Sequence, residues 1–348
     1  MSLSNLLAPF SETAAVVEVL RRIRQNDRAI PILDVPSAAR PALIAAVLAS
    51  SDRPAFVVTA RQDRADALCA AINEYLPSGQ TATLWSSPDA LPYEQLPFDL
   101  DVSTRRVALL DRLNHAEGSK SLRVVVAARG LTQILMPPAD LDAHARVIRP
   151  GERLDVNSLL AWGTQQGYEI TPLVQEPGTI ARRGGIVDIF PPAAEHPIRI
   201  DLFGDEIDSI RSFNPSSQRS EQRLASVRLL PPTELPLWRL PEAARAIASL
   251  DQSALRAEVA AEWERMLGKM EAGVTPTSVD LFAPYLVDKA TTLMGYLPAD
   301  GLLVVDEPAA VRLAGAQIEE QAAELVAGFV ANGELPPGHE RPVAVWSS

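Results

Sequence analysis

The sequence is poor in cysteine, in aromatic residues and in positive charge. A single cysteine, Cys69, among 348 residues excludes an internal disulfide framework and suits a reducing compartment such as the cytoplasm. Aromatic residues make up only 5%, so the cores must be built mainly from Leu, Val, Ile and Ala. The net charge of −12 argues against a basic nucleic-acid surface over the whole chain, because phosphate binding needs clustered Lys and Arg.

Long apolar runs are missing as well. No uninterrupted apolar stretch approaches the roughly 20 residues that span a bilayer. The arginine-rich first 30 residues lack the apolar segment of a secretory signal. We therefore predict a cytoplasmic protein without a membrane partner. Its length and its 47% apolar content suffice for two or three globular domains.

The first part of the chain alternates short apolar runs with segments of helical spacing. Strands are predicted at 29–35, 54–60, 81–87 and 121–128, and helices at 11–25, 41–50, 65–76 and 103–114. This alternation is typical of a parallel, doubly wound α/β sheet.

Between residues 145 and 235 the pattern changes to short alternating runs separated by Gly and Pro. It predicts a small inserted α+β domain, with an antiparallel sheet packed against a helix at 156–167. Afterwards the α/β pattern returns, with helices at 241–250, 254–270 and 309–331 and a buried strand at 301–308. The Pro-rich segment after Gly333 is interpreted as a linker or a terminus.

The turn after the first predicted strand occupies the place of a phosphate-binding loop but lacks its residues. In P-loop ATPases this turn reads GxxxxGK[ST], whereas Val35–Pro41 reads VPSAARP, with no glycine and no lysine. Its two prolines also remove backbone donors that phosphates would need. We interpret the turn, with Ser37 and Arg40, as a degenerate site in a RecA-like, P-loop-type fold.

The segment LLVVDEP (302–308) has the form of a Walker B strand and ends in Asp306 and Glu307. Such an acid would hold Mg²⁺ beside a nucleotide. Without a phosphate loop no nucleotide would be held beside these two acids. We therefore predict that the pair is an evolutionary relic or a local cap. A divergent phosphate loop remains the alternative, and it would make the chain a nucleotide-dependent, helicase-like DNA enzyme.

The acids of GDEID (204–208) raise the question of a metal site. Their spacing lacks the DxDxDG pattern and the final Glu of a calcium loop. A glycine turn lined by solvated acids between two strands is the simpler interpretation. The four histidines (His115, His144, His196 and His339) show no metal-ligand spacing, and no catalytic triad is readable. We predict no catalytic residue, no metal and no cofactor for this chain.

The strand before that turn carries the sharper functional signal. Strand alternation places Ile198, Ile200 and Leu202 on a core face and turns Arg199 and Phe203 outward. An outward Phe beside Arg is typical of a protein–protein hot spot. The alternative is a solvated strand face with one exposed aromatic residue. A third possibility, a DNA-binding scaffold without catalysis, is weakened by the net charge.

Three strings together resemble a known family: RRGGIVDIFPP, PIRIDLFGDEIDSIRSFNPSSQRS (197–220) and LPYEQLPFDLDVSTRRVALLDRL (91–113). They look like the amino-terminal UvrB-like module of the bacterial transcription-repair coupling factors (Mfd). The likeness extends over essentially the whole chain. It implies domain 1a at 1–138, an inserted domain 2 at 139–232 and domain 1b at 233–348. It also implies that domain 2 binds UvrA in nucleotide excision repair.

The resemblance assigns residues and partners. The family's UvrA-binding face falls on Arg183, Arg199 and Phe203, with both arginines expected to pair with acids of UvrA around an anchoring Phe. In the family, ATP, Mg²⁺, RNA polymerase and double-stranded DNA are handled by later domains whose motifs this sequence lacks. The segment after LWSSPDALPYEQLPFDLD is too short for the long β-hairpin with which UvrB clamps damaged DNA, so reading of damage is not expected.

Overall fold

The computed structural model describes residues 3–28, 34–87, 99–115 and 122–346. The strands are β1 (Ala55–Thr59), β2 (Ala82–Trp85), β3 (Arg123–Ala127), β4 (Arg146–Ile148), β5 (Glu169–Ile170), β6 (Thr179–Arg183), β7 (Ile186–Ile189), β8 (Ile198–Phe203), β9 (Glu206–Phe213), β10 (Ser220–Arg223), β11 (Val227–Leu229) and β12 (Leu302–Val305). The helices are α1 (Leu7–Ser11), α2 (Ala14–Arg24), α3 (Arg40–Ala49), α4 (Gln62–Tyr75), α5 (Leu100–Asn114), α6 (Ala128–Leu131), α7 (Pro138–His144), α8 (Val156–Gln166), α9 (Leu240–Ala248), α10 (Ala257–Glu271), α11 (Ala283–Leu286) and α12 (Pro308–Ala331).

A four-stranded parallel sheet in the order β12–β1–β3–β2 organises the α/β part. Strands β1 and β3 are buried at every residue, as expected of parallel strands covered on both faces. Phe56 and Val58 pack into a hydrophobic core on one face of this sheet, and Val57 packs into a second core on the opposite face. The predicted α/β class is confirmed, whereas most of the strand predicted at 29–35 lies outside the described residues.

Strand β12 pairs with β1, although the strands of a second, separate sheet lie between them in the sequence. That sheet has six strands in the order β10–β9–β8–β7–β6–β5. Its strands are antiparallel except at one edge, where the short β5 runs parallel to β6. The expected inserted antiparallel sheet is therefore confirmed, with one parallel pair that the sequence did not predict.

One face of the six-stranded sheet packs against α8, as predicted. Leu159 and Trp162 of this helix share a core with Val187 and Ile200 of the sheet. The Asp155 side chain caps the start of α8 by accepting from the backbone N–H of Asn157 at 3.1 Å. The helix thus covers one face of the sheet. On the opposite face, called the outer face below, Ala181 and Phe213 form a small buried cluster with Val174 and Phe190.

The segment after Gly333 is packed, so its interpretation as a linker is wrong. Leu335 is buried in the large core, and the N–H of Ala344 donates to the carbonyl of Thr132 at 2.8 Å. The ring of Trp346 lies directly against Gly315 of α12, where an added Cβ would collide with it. Among the described helices, none is both long enough and apolar enough to span a lipid bilayer.

Candidate partner-binding face

The hairpin of β8 and β9 ends in a two-residue turn at Gly204 and Asp205, where Phe203 pairs with Glu206. Gly204 has φ of +66°, a left-handed conformation that glycine adopts without strain. The acids at 205, 206 and 208 are exposed, whereas Ile207 is buried in the core. This arrangement confirms the interpretation of GDEID as a glycine turn lined by solvated acids.

Phe203 stands at the tip of this hairpin with 84% of its surface exposed. The alternation predicted for β8 holds from Ile198 to Asp201. A register shift between Asp201 and Leu202 then bends the strand, leaving Leu202 half-buried. The phenyl ring is the most exposed large apolar side chain among the described residues.

The two predicted arginines meet at a third residue that the sequence did not single out, Asp188 of β7. Arg199 donates to both oxygens of this carboxylate, Nε to Oδ1 at 2.7 Å and Nη2 to Oδ2 at 2.8 Å. Arg183 donates from Nη2 to Oδ2 at 3.0 Å. The Asp188 side chain is only 1% exposed, so the two guanidinium groups share one buried negative charge.

Arg199 and Arg183 differ in exposure. The Arg199 side chain is 17% exposed, lies over the Phe213 ring at 4.6 Å and donates to the carbonyl of Gln218 at 3.2 Å. Its hydrogen bonds to Asp188 raise the pKa of Arg199 above the ordinary value. Arg183 is 49% exposed. Arg199 is therefore engaged within the sheet, whereas Arg183 offers much of its guanidinium to the surroundings.

Gln218 closes the network from the loop between β9 and β10. Its φ is +59°, which is uncommon for a residue other than glycine. Its amide donates to the carbonyl of Pro215 at 2.7 Å and to that of Val174 at 3.2 Å, and its Oε1 lies 3.4 Å from Arg183. Loop residues carry no periodic pattern, so nothing in the sequence pointed to this contact.

The structure brings together three of the four residues that the sequence assigned to a degenerate nucleotide site. Nη1 of Arg40 donates to Asp306 at 3.1 Å and to Glu307 at 2.6 Å. Arg64 donates to the second oxygen of Asp306 at 2.8 Å. Ser37 is exposed in the short 3₁₀ turn before α3. The acid at the position of a Mg²⁺ ligand is buried, with 4% of its side chain exposed, and is paired with two guanidinium groups.

Two further charged networks could not be predicted from the sequence, because their members lie far apart in the chain. Arg228 of β11 donates to Asp111 of α5 at 3.1 Å and to Asp142 of α7 at 2.7 Å, and so ties the β4–β11 pair to the α/β part. His115 lies 3.6 Å from both of these acids. The second network is buried and joins Arg106 to Glu234 at 2.7 Å.

Comparison with known proteins adds an independent finding. The family model of the UvrB interaction domain matches residues 147–235, a range that includes the six-stranded sheet. Curated relatives are named transcription-repair-coupling factors. That of Bacillus subtilis is 26% identical over 85% of this chain and 26% of its own length. That of Myxococcus xanthus is 29% identical over 86% of this chain and 25% of its own length. That of Mycobacterium tuberculosis is 30% identical over 82% of this chain and 23% of its own length. The chain thus spans about a quarter of the length of these relatives.

Proposed function

Since this chain is a relative of the transcription-repair coupling factors and carries a UvrB interaction domain at 147–235, we propose that it recruits UvrA in transcription-coupled nucleotide excision repair. In this proposal it binds UvrA in the manner of UvrB, through the outer face of the six-stranded sheet. The observation that carries the proposal is the exposure of Phe203, 84%, at a tight hairpin tip within the matched region. RNA polymerase and double-stranded DNA would be partners of the longer coupling factors.

Phe203 and Arg183 would contribute to binding in different ways. Phe203 has only two side-chain torsions and sits on a tight turn, so placing it in an apolar pocket of the partner sacrifices little conformational entropy. Arg183 is half-exposed and retains N–H groups that can form paired hydrogen bonds with a carboxylate. Aromatic residues and arginine are the side chains that most often dominate interface energies.

We expect Phe203→Ala to weaken UvrA binding about 30-fold, which corresponds to about 2 kcal/mol. Arg183→Ala should weaken binding about tenfold. Calorimetric titration of purified UvrA into the chain measures both affinities. Leu313→Ala is the matched control, because Leu313 is also apolar and 60% exposed but belongs to α12. The control should bind within twofold of wild type.

The possible outcomes distinguish an error in the proposed function from an error in the assignment of the binding residues. If the wild-type chain does not bind UvrA, the proposed function is wrong. If wild type binds but neither Phe203→Ala nor Arg183→Ala weakens binding, the function stands and the assignment of these residues is wrong.

We further propose that the chain acts without ATP hydrolysis of its own. Arg40 and Arg64 pair with Asp306, so this acid lacks the open coordination positions that Mg²⁺ requires. We expect titration with MgATP to show no saturable binding up to millimolar concentration, and DNA to stimulate no hydrolysis. A P-loop ATPase measured in parallel is the positive control. Saturable micromolar binding would instead support the alternative of a divergent phosphate loop.

A further inference from the structure

We infer that Asp188 is the positioning residue of this face, because one buried carboxylate holds the guanidinium groups of Arg183 and Arg199 in the arrangement that the partner recognises. The inference rests on the proposed function. Asp188 is 1% exposed and offers a partner almost no surface of its own. Its effect on binding must therefore pass through the two arginines.

Strand register brings the three side chains together. Asp188 of β7 is directly opposite Arg199 of β8, and it is opposite Ala181 of β6, two residues before Arg183. Direct cross-strand neighbours and such diagonal neighbours lie on one face within reach of long side chains. The sheet thus places an acid between two arginines that come from different strands.

The charges of the cluster do not cancel. Two guanidinium groups share the Asp188 carboxylate, which leaves one positive charge in excess, while Arg211 and Asp201 of the same face pair with each other at 3.8 Å. Arg199 is held from several sides, by Asp188, by the Phe213 ring and by the carbonyl of Gln218. The excess charge is therefore presented mainly through the half-exposed Arg183. A partner carboxylate is complementary to this surplus.

Holding Arg183 in place lowers the entropic cost of binding. An exposed arginine on a strand samples many rotamers, and ordering one such side chain at an interface costs about 0.5–1.5 kcal/mol. The bond to Asp188 restricts this motion before the partner arrives. Neutralising Asp188 would also leave two guanidinium groups close together without their shared counter-ion.

The decisive experiment measures UvrA affinity for Asp188→Asn, which preserves shape and removes the charge. We expect at least a tenfold loss. Asp201→Asn is the matched control: Asp201 lies on the same face and accepts from Ser209 at 3.0 Å, and it pairs with Arg211 at 3.8 Å rather than with Arg183 or Arg199. It should bind within about twofold of wild type.

A double-mutant cycle separates positioning from general destabilisation of the sheet. If Asp188 acts through Arg183, the loss caused by Asp188→Asn should be at least threefold smaller in an Arg183→Ala background than in wild type. A purely structural defect would reduce binding by the same factor in both backgrounds. Equal factors would overturn the inference.

Arg199→Lys provides a second variant should Asp188→Asn fail to fold. Lysine keeps the charge but cannot bond both Asp188 oxygens with a planar fork. We expect at least a fivefold loss, and wild-type affinity would overturn the inference. If wild type binds and Phe203→Ala weakens binding, but Asp188→Asn and Arg199→Lys bind like wild type, only this inference fails. If wild type does not bind, the proposed function itself fails.

Discussion

Arg106→Ala is expected to lower the free energy of unfolding by about 3–5 kcal/mol, because it leaves a buried carboxylate without its counter-ion. Nη1 of Arg106 donates to Oε1 of Glu234 at 2.7 Å, and the two side chains are 10% and 7% exposed. Nε of Arg106 also donates to the carbonyl of Ser86 at 2.9 Å, and the guanidinium lies over the Trp85 ring. Urea unfolding followed by tryptophan fluorescence measures the loss.

The neighbouring residue provides the control. Arg105 is 70% exposed and pairs with Asp101 one helical turn earlier, so Arg105→Ala should change stability by less than about 1 kcal/mol. A similarly small effect of Arg106→Ala would mean that Glu234 finds another donor or is hydrated. Combining Arg106→Met with Glu234→Gln should recover much of the loss, since the cost arises from the unpaired charge.

These two adjacent arginines show what sequence patterns cannot resolve. Both belong to the string STRRVALLDRL, and their side chains are chemically identical. Helical spacing predicts which of them faces the core, but the acid that Arg106 meets is 128 positions away. Likewise, Arg40 and Asp306 are 266 positions apart. Such pairs exist only once the whole chain has folded.

The candidate partner-binding face was partly predictable for a related reason. Alternation along one strand is a local property, and it correctly predicted the core positions Ile198 and Ile200. The exposure of Phe203 followed from the same pattern, although a register shift precedes it. The pairing of Arg199 with Asp188 depends instead on the register between two strands, and a one-residue slip would abolish it. The sequence therefore revealed the arginine but not its partner.

The inserted region is also anchored by charge, through the β4–β11 pair and the segment that follows it rather than through the six-stranded sheet. Arg228 joins β11 to Asp111 and Asp142 of the α/β part, and Glu234 follows six residues later, where the chain returns. The Glu234 network reaches the core of the α/β part through Ser103 and Arg106 of α5. The β4–β11 pair is thus tied to the α/β part near the point where the chain leaves the insert, and its residues Ile148, Val227 and Leu229 share a hydrophobic core with the six-stranded sheet.

Neutralising another acid near this network should have the opposite effect to Arg106→Ala. Asp280 lies in the short 3₁₀ turn Val279–Phe282, close to the Glu234 carboxylate. Burial, and to a smaller extent the negative charge of Glu234, together raise the pKa of Asp280 to about 6, although Arg106 partly opposes the rise. We expect Asp280→Asn to stabilise the protein at pH 7 by about 2 kcal/mol and by at most about 3, since one pKa unit corresponds to about 1.4 kcal/mol.

The pH dependence identifies the cause. The pKa of Asp280 is higher in the folded state than the ordinary aspartate value of 3.8, so between about pH 4 and pH 6 the folded chain binds more protons than the unfolded chain. This group therefore makes the protein less stable as the pH rises through that window, and its effect levels off above it. The Asn variant lacks this contribution, so its advantage over wild type should grow from pH 4 to pH 7 and then remain constant. Urea unfolding of both proteins at several pH values measures the difference directly. An advantage independent of pH would mean that Asn improves packing rather than relieving a buried charge, and no advantage at pH 7 would mean that Asp280 ionises without penalty beside Glu234.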